Sequence, residues 1–285
     1  MNKKVFQQQL AFWVFRMLSL LVIGVLFGIL GFLLVKGGSV ISWDFITKMP
    51  EDGMTKGGIY PAIIGTLCLI AGSMLFALPI GVMSGIYINE YTKDGLFKRF
   101  VNLMTNNLAG VPSIVFGLFG MALFVNKLEF GDSLIAGSLT LGLMVLPVIV
   151  RTTEEALKTV EDSLRHASYA LGATKLQTIS KVVLPMSMPN IITGIILSIG
   201  RVSGETAPIL FTVAAYFLPR LPTSMYDQVM ALPYHLYVIA TSGTDIKASR
   251  PMAYGTALVL ILIVLILNLT ANFIRRSLGR KYKVN

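Results

Sequence analysis

One cysteine and two histidines stand among 285 residues, and charged side chains make up only 13% of the chain. With Cys68 alone, no internal disulfide can form and no thiolate cluster can hold a metal. His166 and His235 fall in different loops, on opposite sides of the topology derived below, so no imidazole pair is expected to bind one either. No GxxxxGK[ST] stretch occurs, which removes the phosphate-binding loop that a nucleotide-hydrolysing chain would need. A nucleophile elbow and a histidine relay are also missing, and with them the usual machinery of an intramembrane hydrolase. The two halves do not repeat one another, as the halves of many secondary transporters do.

Apolar sequence fills the space that these absences leave. Hydrophobic residues make up 54% of the chain, and the mean hydropathy is +0.73. Six runs approach the roughly 20 residues that a helix needs to cross a bilayer core: 11–35, 60–88, 101–125, 133–150, 191–217 and 251–274. The first is too long for a signal-peptide core and no small-residue cleavage site follows it, so it reads as a retained span. The composition predicts an all-α polytopic membrane protein, residues 1–285 forming a single transmembrane domain of six helices.

Charge sets the expected orientation, because short loops rich in Lys and Arg stay on the cytoplasmic side. Placing the N-terminal segment, the 89–100 and 151–190 loops and the tail from Arg275 inside puts 16 basic and 6 acidic residues there. The three outer loops then hold 7 of each sign, so the whole net charge of +10 is cytoplasmic, both termini included. Anionic lipid headgroups account for this charge, with Arg275, Arg276, Arg280, Lys281 and Lys283 in the tail, and no nucleic-acid partner is implied.

Two connections, 151–190 and 218–250, exceed what joins neighbouring helices. In the first, Thr152 with Glu155 and Thr174 with Gln177 have capping-box spacing. Between them Thr159 can cap a short helix over about 160–172, with Glu161 and Asp162 in its first turn and Gly172 at its end. Leu164, Ala167, Ser168 and Leu171 share one side of it, which suits either docking to a cytoplasmic partner or resting on headgroups. The outer connection holds Tyr226, Tyr234 and Tyr237, fit for an interfacial belt or a protein contact. Glycine-containing runs at 110–120, 137–142 and 194–204 allow close helix packing.

The fifth run carries GRVSGETAPILF (200–211), with an arginine and a glutamate inside hydrocarbon-length sequence. A charge there is expensive unless it faces a cavity or a partner. On a helix Arg201 and Glu205 would be one turn apart and could simply neutralise each other. Desolvation cancels much of what such a pair gains, so stability alone is a poor reason to keep it. A guanidinium fork fits phosphate or carboxylate, which makes Arg201 the expected anion contact and Glu205 its holder when the site is empty. Pro208 should free the carbonyl of Gly204, while Ser203 and Thr206 offer hydroxyls to a narrow passage. Arg151 at the inner end of the fourth span and Asn106, beside Asn107 and Pro112 in the third, are further candidates for the same path.

Several stretches resemble a known family. LPVIVRTTEEAL (146–157), ALGATKLQTISKVVLP (170–185), TGIILSIGRVSGETAPILFT (193–212) and LAGVPSIVFGLFG (108–120) are similar to PstA-type permeases of phosphate-specific ABC importers. The spacing from His166-Ala167-Ser168 to Gly172 and on to Leu184-Pro185 resembles the EAA loop of that wider class, with His166 where glutamate is usual. The resemblance implies a permease of the bacterial plasma membrane that pairs with a second, related permease. It further implies two ATPase subunits on the inner face, which bind the ATP, and a phosphate-binding protein outside. Leu164, His166, Ala167, Ser168, Gly172, Leu184 and Pro185 would then form the ATPase-coupling element, and the chain would need no cofactor of its own.

Overall fold

The computed structural model describes residues 3–242 and 246–281; Lys283 of the basic tail lies outside them. In chain order it contains α1 (Lys3–Gly38), α2 (Trp43–Thr47), β1 (Pro50–Glu51), β2 (Lys56–Gly57), α3 (Tyr60–Ile86), α4 (Leu96–Ala109), α5 (Ser113–Gly120) and α6 (Leu134–Lys158). There follow α7 (Asp162–Ala170), α8 (Lys175–Thr178), α9 (Leu184–Gly204), α10 (Ala207–Leu210), α11 (Leu232–Thr241) and α12 (Ile246–Lys281). The two strands pair antiparallel, Pro50 opposite Gly57 and Glu51 opposite Lys56. Five helical stretches are long and apolar enough to cross a membrane, or six when the bent pair of α4 and α5 counts as one.

Glycine decides the tightest seam, that between α3 and α6. A side chain at Gly81 would lie 2.6 Å from Ile149 Cγ2, and one at Gly85 would lie 2.7 Å from Thr153 Cβ. With no lipid-driven hydrophobic force between helices, such close backbone approach supplies the dispersion contact that holds them. Gly120 against Thr140, Gly137 against Val213 and Gly194 against Thr152 extend the same packing, as the glycine runs led us to expect. Gly204 has open space around it and takes no part. Around this seam Leu69, Met74, Leu141, Met144, Ile149, Val202 and Ile209 form the main core. Cys68 packs against it as a free thiol. Among the long helices α1 packs chiefly on α12, and its described residues from 7 to 36 are exposed or half-buried.

Two expected spans differ from the structure. The third is broken: α4 and α5 meet at 97°, across Gly110, Val111 and Pro112. Pro112 cannot donate to the helix and disfavours helical backbone at Val111, so the chain turns there despite its apolar composition. The fifth starts earlier and stops sooner than 191–217, running from Lys175 through a π-turn at Ile179–Val183 to Gly204. Glu205 is extended (ψ 128°), and Pro208 sits in the first turn of α10, where its missing N–H costs nothing. The helix has therefore ended before Pro208 could free a carbonyl. Downstream, Val213 and Ala215 bond to Val229 in an open, non-helical return that leads into α11.

Replacing Gly85 by Leu should lower the unfolding free energy by about 1–3 kcal/mol, read as a fall in melting temperature in detergent. Gly28→Leu, where nothing lies within 4 Å, should leave it unchanged.

Candidate functional site

Arg201 occupies the last turn of α9 and Glu205 caps its C-terminus. The guanidinium Nε lies 3.5 Å from Glu205 Oε1, with side chains 34% and 18% exposed. A cation in the final helical turn is favoured by the exposed carbonyls, which explains why the arginine sits just before the break. The pair is loose rather than tightly forked, and one third of the arginine is open to a partner. Beside Glu205, Thr66, Ser203, Ala231 and Pro233 help to line a cavity of about 10 Å³, which is close to the least that holds one water.

The other path candidates divide. Ser203 is buried and its hydroxyl donates to the carbonyl of Ile199 at 2.6 Å, so it serves its own helix. Thr206 precedes α10 and is half-buried. Arg151 is ion-paired within α6, to Glu154 at 3.0 Å and Glu155 at 3.2 Å. Thr152 lies against Gly194, seven residues before Arg201 on α9, so Arg151 stands roughly 10 Å along the axis from it. Asn106 lies on α4, none of whose residues is buried.

At the opposite end, α7 is a nine-residue helix that begins at Asp162. Thr159 does not cap it; its hydroxyl bonds back to Ala156 and closes α6. Thr152 likewise starts no helix, since it lies inside α6 and donates to Val148. The Thr174–Gln177 capping box is present with both of its bonds. Gly172 ends the segment with φ of +81°, a backbone that side chains resist.

The expected coupling residues do not all face the same way. Leu164 packs inward against the cluster of Leu157, Val160 and Val183, and Ser168 Oγ bonds Thr178 Oγ1 at 2.9 Å. His166 and Ala167 are exposed, and Leu171 is 90% exposed. Leu184 and Pro185 open α9 and are half-buried. Tyr169 and Leu176, like Leu171, are exposed apolar side chains at this end. Sequence reasoning missed Arg165 and Glu90, which are ion-paired at 2.9 Å with side chains only 13% and 6% exposed. Their only signal was an acid at the end of the second apolar run; Lys93 three residues on offered it a local partner, and nothing in the sequence pointed to Arg165.

His235, expected in an outer loop, is buried in α11, and neither ring nitrogen has a hydrogen-bond partner. Burial pulls its pKa down to about 4. Among the described residues no group of three or more metal-ligating side chains occurs.

Residues 77–284 match the family model described as binding-protein-dependent transport system inner membrane component. The chain belongs to that family. Within it, the chain is 42% identical to the phosphate transport system permease protein PstA 1 of Mycobacterium tuberculosis, covering 83% of this chain and 75% of that one. It is 35% identical to PstA of Haemophilus influenzae, over 89% and 90% of the two chains. A probable ABC transporter permease of Bacillus subtilis, YqgI, is 33% identical over the full length of both. In fold it matches a bacterial transporter that imports the acidic polysaccharide alginate, with a TM-score of 0.68, 16% identity and coverage of 96% and 99%. The fold of this family is thus that of an ABC importer permease, as the sequence predicts.

Because His235 is held neutral, the unfolded chain takes up its proton first. Stability should be complete above pH 6.5 and fall by about 3 kcal/mol as pH drops to 4. Chemical unfolding of the detergent-solubilised protein at the two pH values should show a shallower acid slope in His235→Leu.

Proposed function

We propose that the chain is the permease subunit of an ATP-driven importer that carries inorganic phosphate into the cytoplasm. The observation that carries this reading is the 42% and 35% identity, over most of the chain, to permeases named for phosphate transport. The chemistry at Arg201 agrees with it. A phosphate approaching the open third of the guanidinium competes with Glu205 for the fork, and its departure lets the carboxylate return. The carboxylate also repels the anion, which keeps binding loose enough for release.

In this reading the basic end carrying α7 is cytoplasmic, with both chain termini, in the bacterial plasma membrane. The outer face of α7, with His166, Ala167 and Leu171, meets one of two ATPase subunits, which bind the ATP. A second, related permease completes the pathway, and an extracytoplasmic phosphate-binding protein delivers the ion from the side of α11. Lipid headgroups meet the remaining basic residues, and nucleic acid has no role.

In vesicles holding the assembled importer, Arg201→Lys should reduce phosphate uptake by roughly tenfold or more, since an ammonium keeps the charge but loses the fork. Excess sulfate should compete poorly. Full uptake by Arg201→Ala would remove the role of this residue, and sulfate competing as well as phosphate would replace the named ion by oxyanions in general.

A further inference from the structure

Arg165 is the most heavily engaged side chain at the α7 end. Its guanidinium donates to the carbonyl of Val160 at 2.5 Å, the carbonyl of Leu157 at 3.0 Å, Glu90 Oε1 at 2.9 Å and Asp162 Oδ1 at 3.2 Å. The Leu157 carbonyl lies in the last turn of α6 and that of Val160 in the bend just after it, where backbone acceptors lack full helical pairing. Glu90 lies 75 residues away in sequence, on the π-turn Tyr87–Tyr91 that ends α3, and accepts a second bond from Asn89 Nδ2 at 2.8 Å. The same turn is tied to α8 by Lys175, whose Nζ stands 4.8 Å from the centre of the Tyr91 ring. One guanidinium thus joins α7, the end of α6 and the end of α3.

A buried ion pair adds little stability over apolar packing, so its value lies in fixing one arrangement of the groups it joins. At the far end of α3, about 36 Å from Glu90 along the axis, Thr66 accepts the buried N–H of Leu232 at 2.8 Å, the first residue of α11. A side chain on Gly65 would meet the carbonyl of Met230, which leads into the same helix. Helix α3 is therefore a strut bonded to α7 at one end and to the opposite loop structure at the other. π-Turns within helices recur at functional sites, and this one seats the strut's inner joint.

We propose that Arg165 and Glu90 are the positioning pair through which displacement of α7 is transmitted to α3, and by α3 to α11. The proposal rests on the reading of α7 as the surface that meets an ATPase. It gives these two residues a role separate from the docking surface: they hold the lever, and the outward residues of α7 receive the push.

The test uses the complete importer in liposomes, with its ATPase and binding protein, and compares Glu90→Gln, Arg165→Lys and Asp162→Asn. Assembly is followed by size-exclusion chromatography, and coupling as phosphate imported per ATP and as stimulation of hydrolysis by loaded binding protein. Glu90→Gln and Arg165→Lys should assemble yet lose both measures of coupling by roughly tenfold. Asp162→Asn, whose carboxylate is 83% exposed, should stay within about twofold of wild type. Wild-type coupling in the two buried variants, failure of both to assemble, or equal uncoupling by Asp162→Asn would each overturn the proposal. If the wild-type complex hydrolyses ATP without importing phosphate, the functional reading loses its ion, while the stimulation ratio still decides the role of the pair.

Discussion

A charge inside a hydrocarbon slab must be answered by another charge, by water or by a ligand, and the rest of this chain is arranged around one such charge. Arg201 could have been placed in an unbroken helix and locked to its neighbour one turn on. Instead the helix ends at Gly204, the backbone extends through Glu205, and the pair is left 3.5 Å apart with the arginine partly open. Non-helical backbone at this depth survives only where protein or water surrounds it. The core residues Val202 and Ile209 pack on either side of the break, and Ser203 turns its hydroxyl to its own helix. The arginine is the partly open group at the break, and the proposed function makes it the anion contact.

The frame that keeps this opening in place is the glycine seam of α3 and α6. Close backbone approach at Gly81 and Gly85 makes the two helices one body, and α6 reaches α9 through Thr152 against Gly194. The break is thus referred to the same body that holds Arg165 and Glu90 at the other end. In the proposed function, recognition at Arg201 and drive at α7 are joined through this one packed body, as moving an ion rather than merely admitting it requires.

Much of the fold was legible in the sequence because hydropathy and charge are local quantities. The apolar runs, the short helix ended by Gly172 and the Thr174–Gln177 box could all be read along the chain. Direction is not local. Residues 205–217 remain apolar after the helix has ended, and only the Gly110–Pro112 step hinted that the third run turns through 97°. Thr152 and Glu155 have the spacing of a cap, but the same spacing occurs inside any helix, and α6 runs straight through them. The Arg165–Glu90 pair joins residues 75 apart, beyond any periodic pattern. The pairing of Arg201 with Glu205 was visible because charge in an apolar run has few explanations. Arg151 carried the same charge but belongs to its own ion pairs on α6.

A density map of the assembled importer trapped with phosphate tests the central claim most directly. The account expects the ion within hydrogen-bond distance of the Arg201 guanidinium, roughly 2.7–3.0 Å, with Glu205 displaced from it. Phosphate resolved on a route that leaves Arg201 and Glu205 joined and untouched would contradict it.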